Sequence, residues 1–182
     1  ENFNSIFDIK IDTTYINNND YTKNLFGNFT FKENKLDKLN LESTFSNNKK
    51  MNLSIETNNQ KETITKFVSN HPKSLIKRYD FIKGFEEGNL NFNSIKKDGV
   101  SDSVLVIDNF KVKEVPVFAK LLSLASLQGI ADLLTGEGIR FTDFEMRYSS
   151  QKGLTEIEEM YAIGPAISIL MDGYIESKKL VS

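Results

Sequence analysis

The sequence predicts a mainly β protein, built of antiparallel strands with two helices set among them. Three observations carry this. Apolar and polar residues alternate at period two through most of the chain. Separators rich in Asn, Asp and Gly recur at roughly hairpin spacing. The period changes to 3.6 at only two places, over 72–83 and 116–134.

Phe3, Ile6, Phe7, Ile9 and Ile11 form an opening strand, broken by the turn formers Asn17, Asn18, Asn19 and Asp20. Phe29 and Phe31 alternate with Asn28, Thr30 and Lys32. Leu39, Leu41 and Phe45 share one parity, and Met51, Leu53 and Ile55 alternate with Asn52, Ser54 and Glu56. One apolar and one polar face is what a half-solvated antiparallel sheet requires. Glu33-Asn34-Lys35, Ser46-Asn47-Asn48 and Thr57-Asn58-Asn59 supply the turns, and a further strand is expected over 62–68.

Pro72 suits the first turn of a helix, with Asn70 or His71 as its cap. Leu75, Ile76, Tyr79 and Ile82 share a face and Gly84 is a C-terminal stop, so a short amphipathic helix is expected over 72–83. Strands then resume. Leu90 and Phe92 alternate within 88–94, and Lys97-Asp98-Gly99 is a turn. The strongest strand is 103–112, with Val104, Val106, Phe110 and Val112 on one parity. Leu105 and Ile107 on the other parity suggest burial on both faces near its start.

A long helix is expected over 116–134, opened by Pro116 and closed by Thr135-Gly136. Its apolar residues occupy well over half of a helical wheel, more than a surface helix carries. Lys120 and Asp132 argue against a membrane span. Strand pattern returns over 139–148, with a kink between Phe141 and Phe144, and then over 154–163, 166–171 and 174–181.

Composition narrows the function. The chain has 182 residues, 39% hydrophobic and 26% charged, which suits one folded domain or part of a larger one. With 23 basic and 25 acidic residues the net charge is −2, so no broad nucleic-acid face is expected. There is no Cys and one His, which removes disulfide scaffolds, Cys nucleophiles and multi-His metal centres. The chain starts at Glu1 and stops within strand-like sequence, so it reads as a single unit, 1–182, cut from a longer protein. An anchor or leader would then lie outside it.

Candidate chemistry is sparse. His71 reads as a helix-entry or surface residue. Glu86-Glu87 and Glu156-Glu158-Glu159 read as solvated faces. Gly136-Glu137-Gly138 closes a helix, whereas a phosphate loop opens one. Asn28-Phe29-Thr30 and Asn52-Leu53-Ser54 fit glycosylation sequons but fall on strand positions. No catalytic residue, metal ligand or cofactor site is expected, and no enzyme activity. The 14 Phe and 6 Tyr, with no Trp, suit the core of a sandwich or the lining of a lipid or sugar groove.

One stretch is more specific. Val115-Pro116-Val117-Phe118-Ala119-Lys120-Leu121-Leu122-Ser123-Leu124-Ala125-Ser126-Leu127-Gln128-Gly129-Ile130, followed by Gly136-Glu137-Gly138-Ile139-Arg140-Phe141, resembles the C-terminal region of AsmA-like proteins, in particular the YhdP-type branch. Gly164-Pro165-Ala166 and Met171-Asp172-Gly173 fit its later small-residue positions, so the resemblance covers about 104–176. Residues 1–103 agree only in style.

The resemblance implies a curved antiparallel sheet, a β-taco with an open apolar groove, in a periplasmic protein of Gram-negative-type bacteria. An N-terminal helix outside this chain would anchor that protein in the inner membrane. The implied function is non-enzymatic conduction of phospholipid towards the outer membrane. The alternative is a structural domain of the same protein that caps the sheet or docks a partner. Expected partners are acyl chains, and a membrane surface or envelope protein at the C-terminal end. The residues expected to contact lipid or cap the groove are Phe110, Val112, Val117, Leu121, Leu124, Ala125, Leu127, Ile130, Phe141 and Phe144.

Overall fold

The structure is a computed structural model and describes residues 3–17, 20–76, 84–113, 136, 138–165 and 167–176. Ten strands follow one another as β1 (Ser5–Tyr15), β2 (Tyr21–Lys32), β3 (Lys35–Phe45), β4 (Lys50–Thr57), β5 (Thr63–Ser69), β6 (Phe85–Lys97), β7 (Val100–Val112), β8 (Ile139–Gln151), β9 (Leu154–Ile163) and β10 (Ser168–Glu176). They form one antiparallel meander in sequence order. The sheet is curved and unclosed, because β1 and β10 do not pair.

The helical content of the described residues is one turn, α1 (Lys73–Ile76), between β5 and β6. It begins where Ile76 N–H donates to the Pro72 carbonyl at 2.9 Å. The rest of the helix expected over 72–83 lies outside the described residues from 77 onward, and so does the long helix expected over 116–134.

Two expectations about strands need correction. The segments expected at 166–171 and 174–181 are, within the described residues, one strand, β10. It continues through Asp172-Gly173 with a register shift between Met171 and Gly173. The extra residue lies in β9, where Glu158 and Glu159 face Asp172 alone, and the ladder continues past the Gly-containing turn signal.

The second correction concerns β7. Leu105 and Ile107 lie on the same face as Phe110 and Val112, although their parities differ. Ile107, Phe110 and Val112 belong to one buried cluster, with Leu105 packed against it. Asn109 has φ +52°, a left-handed conformation that inverts the alternation. Glu87 (φ +63°) and Gly88 (φ +87°) do the same in the neighbouring β6, bringing Phe85 and Leu90 to one face. The expected kink between Phe141 and Phe144 is the β8 end of this line, for Asn109 falls between the pairs Asp108↔Asp143 and Phe110↔Phe141.

The core sits at one end of β6–β8. Phe85 stacks on Phe110 at 5.3 Å, Phe110 stacks on Phe141 at 5.2 Å, and Phe144 meets Phe110 edge-on at 6.3 Å. Ile76, Leu90, Val112, Ala162 and the fully buried Ile139 complete it. Beside it Glu86 pairs with Lys73 (3.2 Å) and Lys113 (2.9 Å), tying α1 and the end of β7 to β6.

Candidate functional site

The candidate site is the apolar face of the sheet, and strand register builds it. Successive cross-strand partners give one rung across all ten strands: Ile9, Gly27, Leu41, Leu53, Phe67, Phe92, Leu105, Met146, Met160 and Met171. Directly opposed side chains on one face touch their neighbours, so ten such positions form a continuous band. At ~4.8 Å per strand, nine steps make it about 43 Å long, measured along the sheet.

A second rung runs beside it through Phe7, Phe29, Leu39, Ile55, Thr65, Ser94, Ser103, Tyr148, Ile157 and Gly173. Its middle is polar, where Ser103 Oγ donates to Ser94 Oγ at 2.9 Å. A row further out is Thr57, Thr63, Lys96, Ser101, Ser150 and Thr155. The face therefore grades from hydroxyl-bearing at the hairpin end, through wholly apolar, to the aromatic core at the other end.

The opposite face is mixed: polar residues predominate over β1–β6, but it also exposes Ile6, Phe26, Val68, Ile95 and Leu170. One of its rungs reads Asp8, Asn28, Asn40, Ser54, Lys66 and Asn93 over β1–β6. Asn28 Nδ2 donates to Asp8 Oδ1 there at 2.6 Å. Further along, Tyr161 Oη donates to Glu145 at 3.0 Å beside Arg147 at 2.6 Å. The hydrogen bond from Arg147, with that from Tyr161, holds the Glu145 carboxyl below its ordinary value.

Leu41, Leu53, Phe67, Phe92, Leu105, Met146 and Met160 are half-buried: their flanks are covered by neighbours in the sheet and their tips are open. Among the described residues each strand contacts only the adjacent strands, and α1 contacts only β6. No second layer of described residues covers the band.

The expected site residues divide into two groups. Phe110, Val112 and Phe141 are buried in the core and Phe144 packs against it, so they form the closed end of the apolar face. Val117, Leu121, Leu124, Ala125, Leu127 and Ile130 lie outside the described residues. Sequence reasoning did not select the open part of the band, from Leu41 to Met160. The alternating runs in β3 and β4 were its signal, but only strand pairing aligns them with the later strands.

An open concavity of about 970 Å³ lies where β9 and β10 shift register, lined by Leu154, Ile157, Leu170 and Met171 together with Glu156 and Glu159. Its mixed lining makes it part of the sheet's edge, not of the band. Among the described residues no group of three or more His, Asp or Glu side chains is placed to hold a metal ion. Comparison of the chain with protein-family models, curated proteins and solved structures finds no match.

Proposed function

We propose that the apolar face binds the acyl chains of lipids, and that the protein is a non-enzymatic lipid-binding and lipid-conducting segment. The observation that supports this is the ten-residue apolar rung from Ile9 to Met171, which no second layer of described residues covers. Removing an acyl chain from water stabilises it by ~0.8 kcal/mol per CH₂. A band with no polar interruption offers similar binding at successive positions, so a chain moves along it without crossing water. In this reading the curved sheet is an open groove, the β-taco of AsmA-like proteins. The resemblance of 104–176 to that family extends the proposal to phospholipid passing between the inner and outer membranes of a cell envelope.

A second reading, a domain that caps the sheet or docks a partner, is favoured at the Phe85–Phe110–Phe141 end alone. Those rings pack on one another and leave little surface for lipid.

The test is native mass spectrometry of the gently purified protein, with transfer of a fluorescent phospholipid between vesicles. Wild type is expected to retain lipid. Leu53→Asp and Met160→Asp are expected to abolish retention and transfer with the β circular-dichroism signal intact, because a charge among acyl chains is costly while the same side chain tip in water is not. Asn52→Asp, on the polar face, is expected to behave as wild type. A wild type that carries and transfers no lipid overturns the reading.

A further inference from the structure

At the hairpin end of the apolar face the polarity has a pattern of its own. Over β4–β9 the second rung and the row beyond it hold hydroxyl-bearing side chains, two isoleucines at the flanks, and a single charged residue, Lys96. The band beside them is uncharged over the same strands. So is the row on its other side, Met51, Ser69, Leu90, Ile107, Phe144 and Ala162. Lys96 lies directly between Thr63 of β5 and Ser101 of β7. Ser94, two residues back on the same face, is bridged to Ser103 at 2.9 Å. The neighbouring Lys97 lies on the opposite face, where Glu62 takes its ammonium at 2.9 Å. Lys96 is exposed and, among the described residues, makes no ion pair. An unpaired ammonium flanked by hydroxyls matches the oxygens of a phosphate: the ammonium supplies charge and donors, and the hydroxyls supply further donors.

We propose that the lipid held on this face is anionic, with its phosphate head group seated at Lys96, Thr63 and Ser101 and its acyl chains running along the strands across the Phe92–Leu105 part of the band. The inference rests on the lipid-binding reading and adds the head group to it. Length agrees. From Lys96 to Leu90 along β6 is six residues, ~20 Å at ~3.3 Å per residue. The hydrocarbon of one bilayer leaflet is about 15 Å deep. An acyl chain therefore fits between the ammonium and the row of Leu90 and Ile107, where the buried core closes the face. Charge then chooses among lipids. A head group of net negative charge gains the ion pair, whereas a zwitterionic one brings its own cation towards Lys96 and gains less.

The purified protein is incubated with vesicles of phosphatidylglycerol or of phosphatidylcholine with the same acyl chains, and the lipid retained is measured by native mass spectrometry. Wild type is expected to favour phosphatidylglycerol by ~5-fold or more, the worth of about 1 kcal/mol from one accessible ion pair. Lys96→Gln is expected to bring phosphatidylglycerol down to the level of phosphatidylcholine and to leave phosphatidylcholine retention unchanged. Lys66→Gln, at an exposed position on the opposite face, is expected to keep the wild-type preference. Millimolar inorganic phosphate is expected not to displace the lipid, because the acyl chains hold it as well as the head. Equal retention of both lipids by wild type, a preference that survives Lys96→Gln, or displacement by inorganic phosphate overturns the head-group assignment and leaves lipid binding in place. Retention of neither lipid overturns the lipid-binding reading, and this inference with it.

Discussion

Phe29 lies over Gly27: a Cβ at residue 27 would stand 2.9 Å from Phe29 Cε2 and 2.8 Å from Ile9 Cγ1. Gly27 is the one position of the first rung without a side chain, and its neighbours fill that space. The band stays apolar there because Ile9 and Phe29 close over the backbone, which is a common reason for Gly within a strand.

Gly27→Val is therefore expected to destabilise the protein by about 1–3 kcal/mol, the cost of overpacking a filled position. Urea unfolding measures it. An unchanged midpoint would mean that Ile9, on the edge strand, moves aside at no cost.

Phe110→Ala is expected to cost ~3–5 kcal/mol, because Phe110 is stacked between Phe85 and Phe141 and its removal leaves a cavity. Leu53→Ala, on the open band, is expected to cost clearly less, about 1 kcal/mol, since part of the side chain already faces outward. Equal losses in thermal or urea melts would show that the band is covered like a core.

Acid should weaken the fold in two steps. Burial against Phe45, whose ring lies 4.9 Å away, pushes the His71 imidazole below its ordinary value, against an upward pull from Asp20. In the tautomer protonated on Nε2, its Nδ1 accepts from Asn47 Nδ2 at 3.2 Å. A group that binds fewer protons folded than unfolded contributes stability that is present above its unfolded value and lost as pH falls. For His71 that loss starts as pH drops below about 6.5. For Glu86, held down by hydrogen bonds from Lys113 and Lys73, it starts below about 4.5. His71→Gln should flatten the first step and Glu86→Gln the second, in unfolding free energy measured against pH. A His71→Gln curve that still falls between pH 6.5 and 5 would assign that step to another group.

The strands of the first half were legible in the sequence because each has one wet face. Phe29 and Phe31, Leu39 and Leu41, and Met51, Leu53 and Ile55 show the period that such a strand must have. Short separators rich in Asn marked their ends. Where the rule of alternation fails, sequence reading failed with it. At Asn109 the backbone turns left-handed and moves Phe110 and Val112 to the face of Ile107, and no residue pattern distinguishes that from burial on both faces. At Asp172-Gly173 the chain stays in the ladder opposite a bulge in β9, although its residues read as a turn.

The sequence by itself determined the antiparallel strand rhythm and the polar side of the first-half strands, because these are local properties of residue type and spacing. Tertiary structure decided which residues meet. Leu53 and Met160 are far apart in the chain, yet they share one rung because five intervening strand pairings happen to carry the register between them. It also decided that Phe110 and Phe141 are core while Leu53 and Met160 are only half-buried, although all four are apolar residues in alternating strands. Burial depends on what lies across the face, and that is a contact between elements, which no period in the chain encodes.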